Sequence, residues 1–494
     1  SVDREGRLFV PTDQGLALRT GDRWRLVGAA QGLLSDSTSS MVQDREGSIW
    51  IGLRGAGLAR WLGHRQWESW TQSEGLRGDK IWAILRDAAG SLWVGTEQGL
   101  NRMSADGRTW QVWTNRQGLG GNRVQALAAG PDGAIWVGSL PGGVARVDPR
   151  SGVIHRYGAA AGLTHDRVNG LVFDRQQRLW VSTRERLFRS GPLGPSMRFS
   201  RESPPLTDDD EMFFRCLLDR RGRLWVPGTR GLARWENGVW TRFTQRDGLK
   251  TDHVAYLAEA DGENFWIGYR EAAGITRLGL GGPRPAVTHF SQEDGLRSDQ
   301  TRFLGLDARG WLWFGNDSGV DVFDGRSWRH YGPSDGLIWP NCNTNAFLAE
   351  SDGSVWVGTS RGLSRFQPLA RPWPRIAPPV VLTSAKVGSE VLDFSHPRVL
   401  AWKDASLEVQ AAALSFLDEN AVRFRYRLVG MDETWVETTQ REIRYPRLPA
   451  GNYTFEVEAR NAQALWSAQP ARVSFRILPP WWQTWWFRLL ALAV

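Results

Sequence analysis

The residues able to do chemistry in this chain are few and are spaced against it. Seven histidines occur, at 64, 155, 165, 253, 289, 330 and 396. None forms a His-Glu-x-x-His helix motif, and none pairs with a cysteine or carboxylate at metal-ligand spacing. His165-Asp166 and Asp252-His253 fall in equivalent loops of a repeat, which points to loop geometry rather than to a base and its orienter. Gly-x-Ser-x-Gly is absent, and no Gly-rich phosphate loop follows a strand and opens a helix. Thr207–Glu211 is rich in aspartate, but it lacks the alternating carboxylates, glycine and distal glutamate of a calcium loop and reads as a solvated turn. The two cysteines, Cys216 and Cys342, lie far apart and read as isolated buried thiols. No catalytic residue, metal site or cofactor is therefore expected.

The elements that must position everything else come from a repeat. A phrase of small residue, apolar residue, tryptophan, apolar residue and glycine returns along the chain, as in Ser48-Ile49-Trp50-Ile51-Gly52 and Ser91-Leu92-Trp93-Val94-Gly95. Its centres are Phe9, Trp50, Trp93, Trp136, Trp180, Trp225, Trp266, Trp313 and Trp356. They are 41 to 47 residues apart. A strand-rich period of that length predicts a β-propeller. Around Trp93, four short apolar or alternating segments separated by Gly/Asp turns (81–85, 91–95, 100–103 and 110–113) make one blade. Asp44, Asp87, Asp219 and Asp307 open the turns before the central strand and read as β-turn residues. A second aromatic column runs through Trp24, Trp67, Trp110, Trp240 and Trp328, and Gly-Leu pairs such as Gly75-Leu76 and Gly118-Leu119 lead into the next blade.

The phrase apolar-Trp-apolar-Gly-Thr, followed by Gly-Leu, an aromatic and Asp-Gly-Leu, resembles the two-component regulator propeller repeat. That repeat belongs to periplasmic sensor regions of bacterial membrane receptors. Trp180-Val181-Ser182-Thr183 and Trp225-Val226-Pro227-Gly228 depart locally from it. The last copy has no fourth strand of its own, and Trp67–Trp70 is placed to supply one. The expected architecture is all-β: a seven-bladed β-propeller over 66–368, preceded at 1–65 by two extra blades of a truncated earlier propeller. One larger ring of eight or nine blades is the alternative.

From Val380 the period gives way to alternating segments (380–385, 407–411, 424–428, 453–459 and 473–477), which suit an immunoglobulin- or fibronectin-like β-sandwich over 369–478. Tyr426, Tyr445 and Tyr453, with Leu448-Pro449-Ala450-Gly451-Asn452 between the last two, resemble the three-tyrosine (Y_Y_Y) domain. Tyr453 is expected to pack its ring and to cap a backbone group with its hydroxyl. Trp481, Trp482, Trp485, Trp486 and Arg488 then precede the apolar run Leu489–Val494. This reads as the interfacial start of a transmembrane helix over 479–494, since a full span needs about 20 apolar residues. A hydrophobic helix packed on the sandwich is the alternative. Both ends of the sequence are expected to be cut within longer elements.

The formal net charge is +8, from arginines dispersed among acids without a basic run, so nucleic acid is not an expected partner. A binding site is sought where the repeat varies. The turn after each Trp-x-Gly carries Arg54, Glu97, Leu140, Arg184, Arg230, Arg270, Asp317 or Arg361. Arg54, Glu97, Arg184, Arg230, Arg270, Asp317 and Arg361 are the candidate ligand residues. They suit an anionic or polyhydroxylated ligand, because guanidinium forks match carboxylates; a general preference of turns for polar residues is the competing reading. The resemblance implies the periplasmic, ligand-sensing part of an inner-membrane signalling receptor. It would bind a small molecule or oligosaccharide, dimerise, and signal to a histidine kinase or diguanylate cyclase output. A carbohydrate-active enzyme on a propeller and a protein-binding scaffold are the competing classes.

Overall fold

The computed structural model describes residues 1–494 except 21–22, 30–31, 62–65, 105–106, 108, 166, 195, 206–210, 369–375, 404, 417–418, 462–463, 484–486 and 488–494. It is built from strands and short 3-10 turns. Two compact units are present. One is Leu62–Ala370; the other joins Ser1–Trp61 to Arg371–Val494.

In the 62–370 unit the strands make seven antiparallel four-stranded sheets. Six are consecutive meanders, of which the first is Ile81–Arg86, Leu92–Thr96, Leu100–Met103 and Trp110–Trp113. The seventh takes three strands from Cys342–Ala349, Val355–Thr359 and Gly362–Phe366, and its fourth from Trp67–Trp70, with Leu363 opposite Trp70 and Phe366 opposite Trp67. Each sheet touches the next, and strand Cys342–Ala349 of the last touches strand Ile81–Arg86 of the first, so the first strands run in a circle.

The Trp-centred strands are buried on both faces because they sit between neighbouring sheets. Trp93, Trp180, Trp225 and Trp313 have no exposed surface. Their indoles stack on fourth-strand aromatics: Trp93 on Trp113 at 5.2 Å, Trp136 on Tyr157 at 5.4 Å and Trp225 on Phe243 at 5.8 Å. The Gly-Leu pairs close a 3-10 turn. At 71–75 Thr71 and Glu74 form a capping box, Gly75 takes φ 94°, which only glycine adopts without strain, and Leu76 drops into the core.

In the other unit, residues 1–61 form two three-stranded sheets, Leu8–Thr12 with Gly15–Thr20 and Arg23–Val27, and Thr38–Gln43 with Ile49–Leu53 and Gly57–Trp61. Phe9, Leu16, Ile49 and Ile51 form their core. The C-terminal part is a sandwich of a four-stranded and a five-stranded sheet around Leu407, Leu428, Phe455 and Val457. Tyr453 donates to the Pro449 carbonyl at 3.0 Å, and Tyr426 stacks on Phe455. Tyr445 donates to Asp432; burial first, then that carboxylate, pushes its hydroxyl well above the usual range. Within this unit the sandwich loop at Ser415–Phe416 is held by the second N-terminal sheet. The buried Glu46 carboxylate accepts from Ser415 Oγ and from the Phe416 amide, both at 2.6 Å, and Phe416 meets the Trp50 ring edge-on at 5.0 Å.

Among the described residues no helix is long and apolar enough to cross a membrane. Trp485, Trp486 and Leu489–Val494, which carry the transmembrane expectation, lie outside them.

Candidate functional site

Each first strand of the circle begins beside the turn that follows the Trp-centred strand. Backbone bonds fix this: Glu97 N–H to the Lys80 carbonyl at 3.2 Å, Leu140 to Arg123 at 2.9 Å, Arg184 to Arg167 at 3.1 Å and Arg270 to His253 at 3.0 Å. The two loop sets therefore share one end of the circle, and the turn residues form its rim.

Arg184, Arg230, Arg270, Asp317 and Arg361 are exposed on that rim and Glu97 is half-buried. Arg54 is not with them; it belongs to the N-terminal sheets, where it lies 3.6 Å from Asp13. The rim is not a uniform arginine ring. Glu97 accepts from the Lys80 amide at 2.9 Å. Arg270 reaches the Met212 sulfur at 3.5 Å. Arg361 lies over the Trp339 ring at 4.0 Å. His165 pairs with Glu185 at 3.0 Å and His253 with Glu271, so the repeated loop histidines are matched to rim glutamates.

Inside the rim lies a second set of residues. The ladder between first and second strands slips at the same place in five of the seven sheets: between Ile81 and Ala83, Val124 and Ala126, Val168 and Gly170, and Val254 and Tyr256, with a longer slip from Cys342 to Phe347. A β-bulge re-aims the side chain it releases. The released residues are Trp82, Gln125, Asn169, Ala255 and the 343–346 run. Trp82 sits under two cations, with Lys80 Nζ 5.1 Å and the Arg123 guanidinium 4.3 Å from its ring. Burial lowers the Arg123 affinity for its proton, and Glu97 opposes that shift.

Residues of three sheets meet at Asn345. Its N–H donates to the Arg302 carbonyl at 3.0 Å, and its carbonyl accepts from Arg215 Nη1 at 3.2 Å. Asn345 does this at φ 58°, a left-handed conformation that asparagine tolerates. The Arg215 residue is more than a third accessible. Tyr256 is buried, and burial raises its hydroxyl.

The arrangement has positive charge, aromatic faces and amides, and among the described residues no nucleophile is set against a base. Cys216 and Cys342 are buried free thiols, and burial pushes Cys216 up to about 12. No metal-holding group occurs among the described residues. Of the acidic loop, residues 207–210 lie outside the described set. Glu211 is not solvated as expected: it is buried in an ion pair with Arg242 at 2.6 Å. Sequence reasoning also missed the bulge residues, which fall in the first strand rather than after the tryptophan phrase.

The family described as "Two component regulator propeller" matches residues 75–98, and the "Y_Y_Y domain" matches residues 415–478. The chain thus carries both modules that its motifs resemble. "Histidine kinase P4" of Formosa agariphila is 28% identical over 204 residues, which are 38% of this chain and 15% of that protein. The chain therefore spans only a small part of that relative. A solved extracellular domain from B. thetaiotaomicron, described as part of a hybrid two component system, is similar at TM-score 0.77 and 18% identity; the match covers 97% of this chain and 67% of that one. A second extracellular domain from the same organism matches at TM-score 0.52 and 18% identity, over 97% of this chain and 69% of that one.

Proposed function

We propose that this chain is the extracytoplasmic ligand-sensing region of a bacterial transmembrane signalling receptor. The observation that carries the reading is the combination of a regulator-propeller unit with a Y_Y_Y sandwich, together with a fold similar over 97% of the chain to an extracellular domain described as part of a hybrid two component system. On this reading the seven sheets are a seven-bladed propeller. The pairing of Trp67–Trp70 with Gly362–Phe366 supports its closure. The two N-terminal sheets are blades of a preceding propeller. Ligand binds at the rimmed end of the circle, and the sandwich passes the change toward an inner-membrane helix and a histidine kinase output.

Such a relay requires the ligand to bind two arrangements of a receptor dimer with different affinity, since equal affinity shifts no equilibrium. This region itself performs no reaction: the rim and mouth present binding groups rather than an acid–base pair. Two measurements test the proposal. Alkaline phosphatase fused after Leu478 in the protein expressed from its own gene should be active, reporting export; an inactive, stably produced fusion would sink the compartment assignment. A thermal-shift screen of small molecules and oligosaccharides should return a ligand that also changes output phosphorylation in membranes.

A further inference from the structure

The mouth of the circle holds guanidinium charge that the protein leaves uncompensated. Elsewhere in the same unit, buried arginine side chains are matched to carboxylates: Arg223 to Asp219 at 2.6 Å and Arg242 to Glu211 at 2.6 Å. Arg215 and Arg302 have no carboxylate partner among the described residues. Arg215 bonds one backbone carbonyl, Asn345, and the buried Nε of Arg302 has no acceptor.

Aligned on the pairing with the Trp-centred strand, the Arg215 position is filled by Ala83, Ala126, Gly170 and Ala346 in four other sheets and by Tyr256 and Phe303 in two more. Arg215 places a charge in that row, and Gly170 beside it leaves the room: a Cβ there would lie 2.7 Å from the Arg215 Cα. Asn345 ties the two segments together: its carbonyl accepts from the Arg215 guanidinium and its N–H donates to the Arg302 backbone carbonyl.

We propose that this mouth binds a small oxyanion between Arg215 and Arg302, in the first instance the carboxylate of an organic acid. Two planar forks supply the donors, and Arg270 adds to the positive field around Tyr256. The oxyanion is carried either by a free small acid or by an acidic sugar; both use the same two arginines. The assignment rests on the ligand-sensing reading of this end of the circle and names the ligand's charged group.

Calorimetric titration of the whole chain at low salt, with succinate, D-glucuronate and sulfate as probes and glucose as the neutral counterpart, tests it. At least one oxyanion should bind at one site while glucose does not. Arg215→Ala and Arg302→Ala should each weaken binding at least tenfold, Arg302→Lys should lose less than Arg302→Ala, and Arg326→Ala on a distant exposed turn should stay within twofold. Succinate binding would identify a free acid as sufficient; glucuronate alone would identify the sugar acid. Should a variant fail to fold, the wild-type chain still decides the matter. Bound oxyanion should protect Arg215 from phenylglyoxal, read by peptide mass spectrometry, and binding should weaken with added chloride. Absence of oxyanion binding at millimolar concentration, or binding that ignores both substitutions, overturns the proposal. A neutral ligand bound elsewhere would do so too, while leaving the sensor reading intact.

Discussion

The indole Nε1 of Trp93 donates to Oδ2 of Asp87 at 2.7 Å, six residues upstream across a turn. The other oxygen of the same carboxylate, Oδ1, accepts from the Ala89 and Ser91 amides. One side chain thus fixes both the turn and the tryptophan between sheets. The pairing recurs at Asp44–Trp50, Asp174–Trp180, Asp219–Trp225 and Asp307–Trp313, and Glu350 takes the role for Trp356. At Trp136 the acceptor position is Gly130, and that indole N–H is buried without a partner.

Asp87→Ala should destabilise the 62–370 unit by about 2–3 kcal/mol, because a buried indole N–H and two turn amides lose their acceptor together. Asp87→Asn should recover part of the loss. The urea midpoint, followed by tryptophan fluorescence, measures both; equal midpoints for wild type and Asp87→Ala would show the bond to be incidental.

Acid should weaken the fold through Asp219. Burial pushes this carboxyl up, but hydrogen bonds from Trp225 and Arg223 outweigh that and hold it below its ordinary value. The unfolded chain then binds the proton more readily, so the stabilisation is complete above the unfolded carboxyl value of about 3.9 and is lost as pH falls below it through the folded value. Asp219→Asn should flatten the fall in thermal midpoint between about pH 4 and pH 2; an unchanged slope would assign the acid sensitivity to other carboxylates.

Much of the fold was legible because its signals are periodic. The tryptophan centres give the sheet repeat, and Gly75-Leu76 marks a turn whose left-handed glycine and buried leucine are both required by geometry. The sandwich strands were visible as alternation, with 473–477 expected and Ala471–Ile477 observed. The double role of Asp87 was not legible. The aspartate reads as a turn residue, and only the antiparallel return of the chain brings its second oxygen to the indole. The mouth was hidden for a different reason. Repeats were aligned on tryptophan, whereas Trp82 is turned inward by a bulge that composition does not announce. Arg215 sits in the sheet whose first strand keeps only Leu217–Leu218 in regular pairing, where the register is hardest to follow.

Gly170→Ala should cost about 1–3 kcal/mol by overpacking. Its Cβ would meet Ser182 Oγ and the Arg215 Cα at 2.7 Å, and the latter is backbone of an adjacent sheet that cannot rotate away. Gly133→Ala, at a position with nothing within reach of a Cβ but a left-handed φ of 76°, should cost about 1–2 kcal/mol from backbone strain alone. Denaturant midpoints of the two variants, compared directly, would reverse order if space were not the limiting factor at Gly170.

Glu46→Ala should release the sandwich loop at Ser415–Phe416. Two hydrogen bonds to one buried carboxylate vanish, at a cost of about 2–4 kcal/mol. Hydrogen exchange at the Phe416 amide should accelerate at least tenfold while the Phe455 amide in the sandwich core stays protected. Unchanged exchange at Phe416 would mean that the carboxylate does not hold the loop.

The pairing of Trp67–Trp70 with Gly362–Phe366 also sets an order of events in synthesis. Ser69 and Ser364, whose hydroxyls meet at 2.9 Å, are 295 positions apart in the chain. At roughly 5–20 residues per second the first of these strands emerges about 15–60 s before its partner exists. The six intervening meanders contain only local pairings and can form as they appear, which is the fast regime of folding. The 67–70 strand must meanwhile wait with an unpaired edge, the kind of surface on which chains pair wrongly with one another. The last strand made therefore decides whether the first one waited safely, and the yield of folded protein should respond to translation speed across this interval more than to the stability of any single sheet.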